Sequence, residues 1–466
     1  MSSRKDGRRR DPGPEIPPEV RQELDGVYAA IMARAPEHDI EPSLDRVRAV
    51  CELLGDPQKA YRVVHLTGTN GKTSTSRMLD SLVREHGLRT GRFTSPHLTS
   101  VTERIAIDGE PVSAERFIEV WRDVEPYVEM VDAESQAAGG PRLSFFEVLT
   151  VMAFAAFADA PVDVAIIEVG MGGAWDSTNV ADGEIAIITP VSVDHERWLG
   201  HTVVEIAGEK AGIIKEGATL VLAEQTEDAD GVILAVAAER GARVLREGVD
   251  LEVPERFPAV GGQLVSLRTP AGLYTEVYLP QYGAHQAHNA LLALAAAEAL
   301  LSGGRALDGD LVGAAFAAAD SPGRLEVVRA SPTIVVDAAH NPAGAQALVD
   351  AVEESFDFTR LIGVVGILAD KDAETILSIL EPMLAEIVVT QSSSVRSYDV
   401  DDLEEIANDI FGEERVHSVA RLDEALDLAA GLAENEDTIG VGTGTGVLVA
   451  GSVVLAAEAR LLLGRG

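Results

Sequence analysis

The stretch 65-HLTGTNGKTSTSRML-79 decides the reading of this chain. It leaves the apolar run 61-YRVVHLTG-68, passes Gly68 and Gly71, and enters a segment with helical spacing. The glycines allow the backbone to approach a ligand closely. The helix that follows presents free N–H groups and the positive end of its dipole, so a phosphate belongs in the turn. Gly71-Lys72-Thr73 fits the end of the pattern G-x-x-x-x-G-K-[ST], while the first glycine position falls on Leu66, so the general phosphate-loop pattern is half met. Lys72 is placed to reach terminal phosphates, and Thr73 or Ser74 to bind a phosphate oxygen or Mg²⁺.

Outward from this turn, short β-branched runs alternate with helical patterns. The runs 61-YRVVHLTG-68, 163-DVAIIEVG-170 and 184-EIAIITPV-191 read as buried parallel strands, with helices around Leu79–Val83 and Phe145–Phe157. That alternation predicts an α/β domain with a mostly parallel sheet. Residues 225–280 turn Gly-, Pro- and Val-rich and predict a small β element, followed by the Ala-rich helix NALLALAAAEALL. Pro322 and Gly323 mark a linker. Beyond it, TIVVDAAHN, RLIGVVGIL and AEIVVTQ read as strands, and DTIGVGTGTGVLVAGSVVLAA as strand, Gly-rich turn and helix. The expected division is a disordered tail over 1–20, a nucleotide-binding domain over 21–320, a linker over 321–326 and a smaller Rossmann-like α/β domain over 327–466.

Composition narrows the function. Of 466 residues, 46% are hydrophobic, which suits a globular chain with ample core. The net charge of −38, from 76 acidic and 38 basic residues, argues against nucleic acid or an anionic membrane as partner. The single cysteine, Cys51, sits in an apolar-periodic run and reads as a core residue. No stretch reads as a membrane span or a secretion signal, so a cytoplasmic protein is expected.

The turn TGTNGKTS resembles the nucleotide loop of the Mur ligase superfamily of ATP-dependent amide ligases. Within it, the chain from about residue 40 onward resembles the folylpolyglutamate synthase/dihydrofolate synthase family. The resemblance implies that Gly68, Thr69, Asn70, Gly71, Lys72, Thr73 and Ser74 hold ATP. FTSPHLTSVTERI resembles the family's folate-side loop, and SFFEVLT its metal-binding carboxylate segment. These map Mg²⁺ ligands onto Ser95 and Glu147. Even without the family, a carboxylate inside an apolar helix is costly unless paired or metal-bound. Glu168 ends a strand at the carboxyl edge of the sheet, where such folds hold ligands. MGGAWDSTN follows the family's GGxxDxTN pattern with Asp176 and Asn179, and has Ala174 where the family often has Arg. VSVDHERWLG maps a ligand of the second Mg²⁺ onto His195, and AGEKAGIIK maps a carbamylated lysine onto Lys210.

On the nucleotide side the resemblance implies Asn289 near the adenine, Arg324 reaching over the phosphates from the linker, and Asp337 and His340 in VVDAAHNPAG. The family's Thr-Gly-Ser-Leu-Tyr maps onto TGTGVL, with Thr445 at the serine and Val447 at the tyrosine. The implied catalytic set is Lys72, Lys210, His195 and Glu147. The implied reaction joins L-glutamate to dihydropteroate or to a reduced folate, with ATP and two Mg²⁺ ions, in a monomer. Two rivals stand beside it. A cell-wall Mur ligase would need a UDP-sugar domain ahead of Thr67, for which the preceding residues leave no room. A P-loop switch would need an Asn-Lys-x-Asp signature, which the string ADKD around Lys371 does not supply.

Overall fold

The computed structural model describes residues 16–35, 41–434 and 444–465. Two parallel-rich sheets face each other through their carboxyl edges. The first contains β1 (Arg62–Thr67), β2 (Thr90–Phe93), β3 (Ile105–Ile107), β4 (Glu110–Pro111), β5 (Val164–Glu168), β6 (Ile185–Ile188), β7 (Thr219–Leu222) and β8 (Arg243–Arg246). Their order is β4-β3-β2-β5-β1-β6-β7-β8. β1 lies between β5 and β6 in parallel register, Leu66 opposite Glu168 and Ile187. Only β3 and β4 run antiparallel, at one edge. β5 and β6 are buried at every position, which is why they read as unbroken apolar runs.

The helix Lys72–Glu85 lies on this sheet and packs Met78, Leu79, Leu82 and Val83 against Ala290–Ala297 of the helix Ala284–Ser302. Alanine at those positions lets the two helix axes come close. The helix Phe145–Asp159 covers the other face with Val148, Leu149, Met152 and Phe154 fully buried.

A three-stranded antiparallel sheet of β9 (Glu252–Ala259), β10 (Gly262–Thr269) and β11 (Gly272–Leu279) supplies the expected small β element. The first part of the segment expected to be β-rich is instead the helix Glu227–Glu239. Its acidic first turn and the buried Ala229, Ile233 and Ala237, spaced four apart, carry the helical signal. The second large sheet has β12 (Glu326–Ala330), β13 (Thr333–Val336), β14 (Arg360–Val365), β15 (Glu386–Val389), β16 (Val416–Ser418) and β17 (Thr445–Ala450), in the order β12-β13-β17-β14-β15-β16.

Two expectations shift. A helix begins at Pro18, inside the expected tail; residues 1–15 of that tail lie outside the described residues. The strand expected from Asp437 onward and the glycines at 440 and 442 lie outside the described residues. Thr445–Ala450 is itself the central strand β17, Val447 is fully buried in it, and the turn is Gly451-Ser452. Among the described residues, no helix is long and apolar enough to cross a membrane.

Candidate active site

A cleft of about 1070 Å³ opens between the two carboxyl edges. Its wall contains every residue singled out above for nucleotide, metal or catalytic work, from Gly68–Ser74, Ser95 and Glu147 through His195, Lys210 and Asn289 to Arg324, Asp337 and His340. Segments far apart in sequence meet there, several of them, such as those after Thr67, Phe93, Glu168 and Val336, directly following the end of a strand.

The turn is built as its glycines require. Gly71 has φ +90°, and a Cβ on it would lie 2.5 Å from Asn289 Oδ1. A Cβ on Gly68 would lie 1.9 Å from Thr189 Oγ1. Gly71 begins the helix Lys72–Glu85 with no side-chain cap, so the helix N–H groups and dipole face the cleft. Asn289 therefore presses on the turn, and its Nδ2 donates to Gln286 Oε1 at 3.1 Å.

Two lysines share one carbonyl in this turn. Lys72 Nζ donates to Gly68 O at 2.9 Å and to Thr69 O at 3.2 Å, and Lys210 Nζ donates to Gly68 O at 2.8 Å. Desolvation lowers both ammonium groups. Lys210, 4% exposed, falls to about 7, with Lys72 adding to the effect. For Lys72, Glu168 and Asp194 pull the other way. The backbone of Gly173 fits against the helix that carries Lys210, where a Cβ would meet Glu209 O at 2.8 Å.

Two carboxylates part company. Glu168 is 1% exposed and accepts from Thr73 Oγ1 at 3.0 and 3.1 Å, directly beneath the uncapped helix start. Burial raises its pKa, against Lys72 and the Thr73 bond. Glu147 is engaged elsewhere. Arg46 donates to it from Nε at 3.2 Å and from Nη2 at 2.9 Å, and Glu147 Oε2 accepts from Ser144 N at 2.6 Å. Ser144 and Glu147 form a capping box, so this carboxylate satisfies its own helix and an arginine. The metal-carboxylate role expected of Glu147 fits Glu168 better. The signal was in the sequence, since Ser-Phe-Phe-Glu is itself a capping-box string.

Asp176 accepts from Met171 N at 2.9 Å and Thr178 N at 3.0 Å, and burial raises it to about 6. Asn179 Nδ2 donates to Ala174 O and Gly212 O. Both residues hold the loop that follows β5. His195 stands at φ +54° and faces the cleft. Its side chain is exposed to the cleft, and partial desolvation there lowers its imidazole to about 4, against the pull of Asp194.

From the other side, Asp337 accepts from Leu325 N and Ala339 N, both at 2.7 Å, and so pins the linker to the end of β13. Burial raises its pKa, opposed by Arg324. Arg324 lines the cleft and makes no ion pair or side-chain hydrogen bond among the described residues. His340 is lowered to about 4 by enclosure and by Lys371. The sequence reading missed Asp194, Asn341 and Lys371, which join the two halves, and Ser452, which lines the cleft and caps the last helix by accepting from Leu455 N.

No group of three or more His, Cys, Asp or Glu side chains able to hold a metal occurs among the described residues. Mg²⁺ seldom asks for one; it takes one or two protein oxygens and completes its shell with phosphate and water. The Thr73 hydroxyl and the buried Glu168 carboxylate, beside the phosphate turn, fit that demand.

Comparison with known proteins agrees with this geometry. The Mur ligase middle domain matches residues 66–297, and the Mur ligase glutamate ligase domain residues 323–452. The dihydrofolate synthase/folylpolyglutamate synthase of Mycobacterium tuberculosis is 49% identical over 448 residues, 93% of this chain and 92% of its own. The Bacillus subtilis protein of the same name is 35% identical over 387 residues, 80% of this chain and 87% of its own. The structure of Mycobacterium tuberculosis folylpolyglutamate synthase complexed with ADP aligns with a TM-score of 0.92 at 48% identity, covering 96% of this chain and 99% of that one. With strand order, phosphate turn and linker arginine all in place, the chain belongs to the dihydrofolate synthase/folylpolyglutamate synthase family of Mur ligases, enzymes that form carbon–nitrogen bonds.

Proposed function

We propose that this enzyme joins the amine of L-glutamate to the carboxylate of dihydropteroate, of a reduced folate, or of both, and spends ATP through an acyl phosphate. The observation that carries the reading is the cleft itself, where an uncapped helix start, the half-buried Lys72, the buried Lys210 and the unpaired Arg324 face one another. Residues 21–320 would bind ATP and the pterin substrate, residues 327–466 the glutamate, and 321–326 would act as the hinge. Every group this needs lies in one chain, which supports a monomer.

In this reading the triphosphate lies on the N–H groups after Gly71, with Lys72 and Arg324 on its terminal phosphates. The acceptor carboxylate attacks the γ-phosphorus in line, the bond to the β-phosphate oxygen breaks, and ADP leaves. Lys72 and Arg324 offset the charge that builds on the transferring group. The glutamate amine then attacks the acyl carbon, the tetrahedral species collapses, and phosphate departs to leave the amide. Enclosure between the two edges keeps water from the acyl phosphate.

Mg²⁺, when bound, would polarise the phosphate oxygens. Thr73, Glu168 and Ser95 would hold one ion, and His195 would be a ligand of the second. The low pKa of Lys210 supports a carbamate there. A neutral amine adds to CO₂, a proton leaves, and an anion replaces a cation beside Lys72.

The test is phosphate release from Mg·ATP with L-glutamate, comparing dihydropteroate and tetrahydrofolate monoglutamate. Turnover with both assigns both activities to one cleft, and turnover with one assigns that activity alone. No acceptor-dependent release would overturn the reading.

A further inference from the structure

The two halves are joined across the cleft by one compact polar network. Lys371 Nζ donates to Asp194 Oδ1 at 2.6 Å, and the two side chains are 8% and 9% exposed. Asn341 Nδ2 donates to Asp194 Oδ2 at 3.2 Å and to Asn70 Oδ1 at 3.1 Å. Asn341 Oδ1 accepts from Asn70 Nδ2 at 3.2 Å and from Gly344 N at 2.8 Å. Both hydrogens and both lone pairs of the Asn341 amide are thus in use, which fixes its orientation and specifies one arrangement of the halves.

Asp194 does a second thing with the same oxygen. Oδ1, which receives Lys371, also accepts the backbone N–H of His195 at 2.7 Å. His195 stands in the left-handed region, at φ +54°, a pose that a non-glycine residue keeps only when its surroundings impose it. The carboxylate that receives the C-terminal half is the one that holds the His195 backbone in place. Asn341 meanwhile binds Asn70, inside the phosphate turn.

We propose that Asp194, Lys371 and Asn341 form a latch through which closure of the C-terminal half sets the pose of His195 and of the phosphate turn. Lys371 and Asn341 are positioning residues, acting through Asp194 and Asn70. When the halves part, Asp194 loses two of its three donors and the constraint on His195 is relaxed. The catalytic arrangement is then complete only in the closed enzyme, which would limit hydrolysis of ATP before the amino acid is enclosed. The kinetic part of this inference rests on the proposed ligase reading; the structural part does not.

The experiment pairs small-angle X-ray scattering of the ligand-free full chain with steady-state kinetics, for Lys371→Met, Lys371→Arg and Asn341→Asp. Asn341→Asp keeps the cap oxygen on Gly344 and sets a carboxylate against Asp194, so it reports even if Lys371→Met fails to fold. Lys371→Met and Asn341→Asp are expected to increase the radius of gyration. They should lower kcat roughly 100-fold, the scale of a misplacement of about 1 Å, and Asn341→Asp, which removes a bond to Asn70 in the phosphate turn, should also weaken ADP binding. Lys371→Arg should restore both. An unchanged radius with a raised KM for L-glutamate would make Lys371 a direct contact of the amino acid and overturn the latch. A lowered melting temperature with unchanged kcat, KM and radius would overturn it too. Scattering needs no turnover, so the latch is tested even if the proposed substrates fail.

Discussion

The two edges that face the cleft differ in how their helices begin. On the first side, Ser144 and Thr202 cap two of the helices, but the two that start after Gly71 and Gly283, at the phosphate turn, carry no side-chain cap. On the second, Asn341, Asp372 and Ser452 each cap the helix that follows. A capped start has spent one of its free N–H groups within the protein, and an uncapped one keeps all of them for an anion. The first edge also sets Lys72 and the buried Lys210 on the phosphate turn, while the second contributes Asp337, His340 and Asn341. One edge is therefore built to receive phosphate and the other to close over it.

This contrast can be broken by substitution, and the largest effect belongs to the turn. Gly71→Ala, forced to φ +90° against Asn289, should weaken ADP binding more than about 100-fold by calorimetry. Near-normal affinity would mean the phosphate lies elsewhere. Lys72→Ala should retain the fold and lower kcat by about 10²–10³-fold, the usual consequence of losing one preorganised charge donor. The two glutamates sharpen the picture further. Glu168→Gln should raise the Mg²⁺ concentration for half-maximal rate at least about tenfold. Glu147→Gln should leave that requirement alone and cost about 1–3 kcal/mol of stability through the Arg46 contact.

Lys210 gives a pH signature. Its folded pKa, about 7, lies below the ordinary lysine value of 10.5. Between those values the unfolded chain binds more protons than the folded one, so stability rises with pH across that window. The rise is at most about 1.4 kcal/mol per unit. In CO₂-free urea unfolding between pH 7 and 10, Lys210→Met should flatten this slope. An unchanged slope would show that Lys210 is charged when folded. The smallest effect is expected on the capped edge. Ser452→Ala should lower stability by about 1 kcal/mol in urea unfolding and leave ADP affinity unchanged.

Much of this was readable in the chain. β1, β5 and β6 announced themselves because strands buried on both faces are apolar throughout, and the phosphate turn because glycine and lysine have few other reasons to sit between strand and helix. Glu147 read as a metal ligand because an acid in an apolar helix suggests one; its contacts with Ser144 and Arg46 give its burial a second reason, and the contact with Arg46 shows only in the structure. The Asp194 latch was invisible for a different reason. Its partners Asn341 and Lys371 lie 147 and 177 residues away, and no local pattern reports a contact made only when two sheets meet.

The most direct test of the central claim follows an oxygen atom. Dihydropteroate or tetrahydrofolate monoglutamate labelled with ¹⁸O in the acceptor carboxylate would be turned over with Mg·ATP and L-glutamate, and the released phosphate analysed by mass spectrometry. Attack of that carboxylate on the γ-phosphorus predicts one ¹⁸O in each phosphate. Unlabelled phosphate accompanying glutamate-dependent product would contradict the acyl phosphate and with it the proposed chemistry of the cleft.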